Sequence, residues 1–245
     1  NLTLRSTVEP IKQFRIELTA NKTSSNNYTE YFRWDDDIND FNSFSPTEYG
    51  SYSISFISWR TAFKSDNDDN ESSVFNNFRN YRNNIAKQLA QNNPNFDPNT
   101  ISNEIEWHPQ TSFPIEIDGY EVNSEGDTIP IISGGYGETS QEVMIPAFLA
   151  AYSGSEPSSS KLSAFPLIPL PNWRVTYDGF IKIPYFKKRF KQFTIGHAYR
   201  STYSVGSYQT NLNYSNGDEV NFNNLSYHVA REISQVTINE QFSPL

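Results

Sequence analysis

PLPNWRVTYDGFIKIPYFKKRFKQFTIGHAYRSTYSVGSYQTNLNY, residues 169–214, holds two strand-like runs joined by a short basic turn. Side chains along a strand point alternately to its two faces, so parity sorts them. In the first run Trp173, Val175 and Tyr177 share one face, and Arg174, Thr176 and Asp178 share the other. In the second, Phe193, Ile195, His197, Tyr199, Ser201, Tyr203 and Val205 fall together, opposite Thr194, Gly196, Ala198, Arg200, Thr202, Ser204 and Gly206. Gly206 marks a change of pattern, since Tyr208, Leu212 and Tyr214 continue on the other parity. The alternating part of the second run covers about 13 residues, beyond the ~5–6 of an ordinary globular strand and enough for the ~9–11 that cross a bilayer at a tilt. A soluble sheet with one wet face also alternates, so on spacing alone a large soluble β-protein stays open. The partition itself, aromatics against small and hydroxylated residues, is that of an outer-membrane barrel wall with lipid outside and a polar lumen inside. On that reading Trp173, Val175, Tyr177, Phe193, Ile195, Tyr199, Tyr203 and Val205 face lipid. Arg174, Thr176, Asp178, Thr194, Arg200 and Thr202 face the lumen.

Several motifs occur in a recognisable order: GYGETSQEVMIPAFLAAYSG at 135–154, PLPNWRVTYDGF at 169–180, FKKRF at 186–190, HAYRSTYSVGSY at 197–208 and EQFSPL at 240–245. Together they resemble the SprA/Sov family, the very large outer-membrane translocon of the type IX secretion system, also linked to gliding motility. The resemblance is clearest from about Gly135 to Leu245 and weak before that. It implies a protein-conducting channel in the cell outer membrane that exports folded cargo to the surface. It implies no enzyme activity and no cofactor, and as partners a PorV-like outer-membrane shuttle protein and a periplasmic plug protein. Members are far longer than 245 residues, so this chain is expected to be an internal segment of such a barrel.

Composition fits that expectation. Aromatics reach 15% while hydrophobic residues are only 36%, so apolar surface is delivered by rings that suit strand faces and interfacial girdles. No apolar run of the ~18 residues needed for a membrane-spanning helix occurs, which leaves a barrel open because alternation keeps hydropathy low. A net charge of −9 argues against general nucleic-acid binding, which needs a basic footprint. The absence of Cys excludes disulfides and thiolate metal sites. The start, NLTLRSTVEP, lacks the charged and apolar regions of a signal peptide, and EQFSPL reads as mid-strand, in keeping with an internal segment.

Residues 1–63 read as barrel strands. Phe14, Ile16, Leu18 and Ala20 alternate with Arg15, Glu17, Thr19 and Asn21; NKTSSNN reads as a turn, and Tyr28–Trp34 as the return strand of a hairpin. An acidic loop, DDDINDFNSFSPTEYG, precedes a third strand at about Tyr52–Phe63, with a bulge near Phe56–Ile57 where the apolar phase slips. From 64 to 168 the alternation stops, and this stretch is expected to be a soluble insertion or cap. Val74, Phe78, Tyr81, Ile85 and Leu89 recur at helical spacing, predicting an amphipathic helix over 74–90 capped by Ser72 or Ser73. Its Asn- and Gln-rich polar face argues for packing on the protein rather than on a membrane. Short extended pieces are expected at 113–117 and 128–132. Thr139 and Glu142 form a capping box for a helix through Ala151 that Gly154 ends, with Pro146 kinking or delaying it. The Pro- and Ser-rich run 156–171 is an extended connector. Residues 169–245 return to barrel strands; after the loop SNGDEVNFNN, a last strand spans about Tyr227–Phe242 and shifts phase between Ile233 and Val236.

A search for chemistry finds little. His108, His197 and His228 stand at no metal-ligand spacing, and no nucleophile elbow, phosphate loop, dinucleotide fingerprint or HExxH is present. Asp66, Asp68 and Asn70 open like a calcium loop, but Glu71 and Asn77 replace the Gly and Glu that the loop requires. The basic cluster Lys187, Lys188, Arg189 and Lys191 reads as a solvated turn or, at a barrel rim, as a neighbour of lipid phosphates. The alternative from another class is a secreted, aromatic-rich carbohydrate-binding or adhesive β-sandwich. Its strands should be short, with turns every ~8–12 residues, which the run from Phe193 to Val205 does not show.

Overall fold

The computed structural model describes residues 1–93, 113–159, 161–214, 220–221 and 226–243. The protein is mainly β and antiparallel. Its strands and helices are, in order, β1 (Leu2–Ile11), β2 (Phe14–Asp35), β3 (Asp40–Ser55), α1 (Ser73–Asn92), β4 (Ile115–Val122), β5 (Thr128–Gly135), α2 (Gln141–Ser153), β6 (Asn172–Tyr177), α3 (Pro184–Arg189), β7 (Ile195–Thr210), β8 (Val220–Asn221), β9 (Ser226–Tyr227), β10 (Arg231–Ile233) and β11 (Val236–Ser243).

Seven strands form one open sheet, arranged β1, β2, then β3 and β6 in a shared slot, then β7, then β10 and β11. The slot between β2 and β7 is filled by two strands laid end to end. β3 pairs with Lys22–Asp35 of β2 and with the second half of β7. β6 pairs with Phe14–Thr19 of β2 and with Ile195–Tyr199 of β7. Both are antiparallel to the same neighbours, so they run in one direction, like a single strand interrupted by residues 56–171.

Polar groups stitch the break. The Leu170 N–H donates to the Ser55 carbonyl at 3.0 Å, and the Phe56 N–H donates to the Ser201 carbonyl at 3.1 Å. Ser55 Oγ accepts from the Asn21 N–H at 2.9 Å and from Asn172 Nδ2 at 3.3 Å. Asn172 Oδ1 in turn accepts from the Ser201 N–H at 2.8 Å. Ser55, Asn172 and Ser201 are all buried, where an unpaired polar atom costs roughly 1–3 kcal/mol. The side chains supply what the interrupted ladder lacks.

Several sequence expectations are corrected here. NKTSSNN is not a turn: β2 runs straight through it for 22 residues, about 70 Å at ~3.3 Å per residue. The hairpin turns instead at residues 36–39, with Asn39 at φ 49°, a conformation Asn tolerates well. The acidic stretch thus makes a two-stranded tip, and β1, unforeseen, pairs with the first part of β2. β3 stops at Ser55 rather than bulging at Phe56–Ile57. The last strand is three pieces, β9, β10 and β11; its phase shift at Ile233–Val236 is the break opposite Gly206. There β7 carries one extra residue, so Tyr208 turns to the same side as Val205 despite its opposite parity.

Between Ser55 and Asn172 the chain builds a helical layer. α1 covers 73–92 with Ser72 as N-cap, its hydroxyl accepting from the Phe75 N–H at 3.4 Å. α2 is capped at Ser140, one residue later than the Thr139 box, and no side chain completes the cap. Pro146 lies inside α2, and Gly154 ends it at φ 68°, the left-handed position where glycine costs least. α2 is buried along Val143, Ala147, Ala150 and Ala151 as well as Ile145 and Leu149, the signature of a helix covered on all sides. Ile145 and Leu149 meet the sheet, while Val143 packs with Ala86 and Ala90 of α1 and with Tyr136 and Tyr227. β4 and β5 form a separate hairpin, over longer spans than the 113–117 and 128–132 expected. The expected connector 156–171 opens with a 3-10 turn at Pro157–Ser159 rather than extended chain, and residues 161–171 carry no strand or helix. Of the expected loop 215–224, only Val220–Asn221 lies within the described residues, and His108 lies outside them.

Candidate functional site

The sheet's two faces are chemically distinct, and register proves which residues share each. On one face Trp173 stands opposite Tyr199, Val175 opposite His197, and Tyr177 opposite Ile195. Across β2 the same row continues as Leu18, Ile16 and Phe14, and across β1 as Val8 and Leu4. Across β11 it continues as Phe242, Ile238 and Val236. The other face carries Arg5, Arg15, Glu17 and Thr19 of β1 and β2. Next to them come Arg174, Thr176, Thr202 and Ser204, then Asn239 and Gln241. Arg200 shares that face and is exposed. Asp178 and Thr194 close its end, where Thr194 Oγ1 donates to Asp178 Oδ1 at 2.6 Å. All six residues read as lumen-facing therefore lie on or at the end of one polar face.

The apolar face is divided. Tyr199, Tyr203 and Val205, expected to face lipid, are 1%, 0% and 1% exposed. Their cover is the protein's own insertion: Ile145 and Leu149 of α2 lie on Tyr203 and Val205, with Phe165 beside them. The connector is pinned to this region by tyrosines, because the Tyr203 hydroxyl donates to the Ala164 carbonyl at 2.9 Å and the Tyr52 hydroxyl donates to that of Pro166. Glu240 also stands on this face. Its Oε1 accepts from the Tyr199 hydroxyl at 2.6 Å and from Ser58 Oγ at 2.7 Å, and the Ser58 N–H donates to the Tyr199 hydroxyl at 2.9 Å. A carboxylate held this way belongs in a polar, protein-walled environment and not in hydrocarbon. These three side chains are corrected from lipid-facing to insertion-facing.

Among the described residues the other half has no such cover. Leu4, Val8 and Ile195 are 54%, 47% and 49% exposed, and Trp173, Val175 and Tyr177 are half-buried among their own neighbours. The boundary is the Trp173–Tyr199 pair, stacked at 4.4 Å. Sequence reasoning missed Leu2, Leu4 and Val8, although their alternation with Thr3, Arg5 and Thr7 was there to be read.

At the far end of this bare half, β6 passes through a 3-10 turn at Gly179–Lys182 into α3. Phe193, expected on the lipid face, packs into this connection instead, 4.9 Å from Phe186 and 5.3 Å from Phe190. The cluster joins the sheet through Phe180, 5.0 Å from Tyr177, which itself meets Phe14 at 6.1 Å.

Other candidates are structural or empty. An open cleft of about 660 Å³ lies between Gly50, Tyr208, Gln141 and Glu232. Gly50 is needed there because a Cβ would fall 2.1 Å from the Ser25 carbonyl and 2.6 Å from the Tyr208 hydroxyl. The Asp66–Asn70 loop is organised by Asn67, whose Oδ1 accepts from the Asp69 and Glu71 N–H groups at 3.0 and 2.7 Å. Among the described residues no group of three His, Asp or Glu side chains is placed to hold a metal ion. His197 is exposed on the bare half, and His228 borders a small cleft with Ser140 and Tyr227. No protein-family model matches this chain, and no curated protein matches it.

Proposed function

We propose that this chain is a wall segment of a transmembrane β-barrel that conducts protein across an outer membrane, with the insertion 56–171 packed against the wall. The observation that carries the reading is the division of one apolar sheet face into a half covered by α2 and a bare half ending in an aromatic girdle. In water, the bare rows of β1, β2 and β6 form a contiguous apolar patch of the kind that marks an interaction site. In hydrocarbon they have their solvent. The polar face, of mixed charge and many hydroxyls, suits a wet lumen that binds no single substrate strongly.

The sheet edges support the same reading. Among the described residues no strand pairs with the outer side of β1, whose ten residues are all exposed, nor with the outer sides of β10 and β11. Long open edges invite pairing, and closure into a barrel removes them. A channel of this sort needs no catalytic group. Its partners on this reading are cargo proteins, an outer-membrane shuttle of the PorV kind and a periplasmic plug.

Because the chain contains no Cys, single-Cys variants test the proposal directly. In membranes, a water-soluble maleimide should label Arg174→Cys on the polar face and spare Ile195→Cys and Val8→Cys on the bare face. Equal labelling of all three, or recovery of the intact protein as a soluble monomer without detergent, would overturn it.

A further inference from the structure

We infer that the connection between β6 and β7 is a docking site for the phosphates of anionic lipids, holding the rim of the sheet against a charged membrane surface. The inference rests on the barrel-wall reading for its geometry, but its chemistry stands on separate observations. The first is charge. The chain carries −9 overall, yet Lys182, Lys187, Lys188, Arg189 and Lys191 lie within ten consecutive positions, and no Asp or Glu occurs from 179 to 217. All five cations are exposed, and among the described residues none is in an ion pair. Arg189 lies over the Tyr185 ring at 4.9 Å, which holds its guanidinium at the surface.

The second observation is what the cations sit beside. Ile183, Tyr185 and Phe190 are exposed at 43%, 60% and 44%. The connection's rings pack on Phe186 and Phe180 and so continue the bare apolar face of the sheet. Rings next to lysines at the edge of an apolar band are the arrangement that seats in the headgroup region, with the lysine stems lying along apolar surface and the ammonium groups among phosphates. An acidic protein segment would be recognised by the cations alone and gives the exposed rings no role.

The third is position. Asp35, Asp36, Asp37 and Asp40 form the tip of the β2–β3 hairpin, at the far end of β2 from Phe14, which adjoins the aromatic cluster. The sheet is therefore basic at one end and acidic at the other. An anionic surface attracts the first and repels the second, which fixes orientation as well as contact.

The test compares flotation of the protein, kept in mild detergent until mixing, with vesicles of phosphatidylcholine alone or with phosphatidylglycerol added. The proposal expects tighter association with the anionic vesicles. Lys187→Gln, Lys188→Gln and Lys191→Gln together should weaken that preference roughly a hundredfold, since each cation near the surface is worth about a fivefold factor. The matched triple Lys64→Gln, Arg79→Gln and Lys161→Gln, with the same loss of charge elsewhere, should leave it unchanged. An unchanged preference in the first triple, or an equal loss in the second, would overturn the inference. So would displacement by millimolar inorganic phosphate, which would make the site one for the free ion. Binding of soluble polyglutamate as tight as that of the anionic vesicles would likewise overturn it in favour of an acidic partner. Failure of the wall reading looks different: the protein would bind anionic vesicles but wash off in high salt with Ile195→Cys freely labelled.

Discussion

Ile195 and Tyr203 stand on one strand, on one face, at the same parity, yet one is half-exposed and the other is sealed. The first part of β7 meets β6 and, up to Tyr199, is left uncovered among the described residues; the second meets β3 and lies under α2. Alternation says which way a side chain points. It does not say what it meets there, and a single strand can change solvent midway.

The largest effect should come from the covered half. Tyr203→Ala removes a fully buried ring between the sheet and α2 and should cost about 3–5 kcal/mol, read as a lowered denaturant midpoint in detergent. Ile195→Ala in the same assay should be several-fold milder; equal losses would mean that the two halves do not differ in packing. The next effect needs a membrane. Ile195→Arg should reduce barrel assembly by about 2–4 kcal/mol if the bare half faces hydrocarbon, and by almost nothing if it faces water. Heat-modifiability on gels separates these outcomes.

Tyr199→Phe sharpens the boundary itself. It takes the hydroxyl that the Ser58 N–H and Glu240 share, leaving a buried donor unpaired at a cost of about 1–3 kcal/mol. Faster hydrogen exchange at the Ser58 amide would be its local mark. Smallest of all, Arg200→Ser on the polar face should stay within about 0.5 kcal/mol. A large loss there would mean that something covers the polar face too.

Much of this architecture was legible beforehand because period-two patterns survive in any sheet. The partition of residues 173–178 and 194–205 into two faces, the helix after Ser72 and the glycine stop at 154 all follow from local rules. The register change at Gly206 could also be read, since a parity flip between Val205 and Tyr208 needs an extra residue somewhere. What escaped was tertiary. NKTSSNN has turn composition, but β2 is held extended through it by β3, whose Tyr49–Ile54 lie opposite Lys22–Asn27. The cover over Tyr203 and Val205 comes from residues 145–165, and the Tyr199 hydroxyl is met by Ser58; no local pattern ties either to β7. Glu240 could have warned of it, since it shares parity with Ile238 and Phe242 on a strand otherwise fit for lipid.

The interrupted strand also sets an order of events during folding. Bringing Ser55 back beside Asn172 closes a loop of all the residues between them, and for a flexible chain of that length the closure entropy is roughly 4 kcal/mol. If α1, α2 and the β4–β5 hairpin form first, their packed ends already lie side by side, as the bond from Leu170 to Ser55 requires, and most of that entropy is spent locally. β6 would then be delivered into the slot late, after β3, with β7 following. Such non-local pairing is slow. Until it is complete, β2 offers the half of its edge that β6 will fill, an open row of backbone donors and acceptors of the kind that invites pairing with other chains.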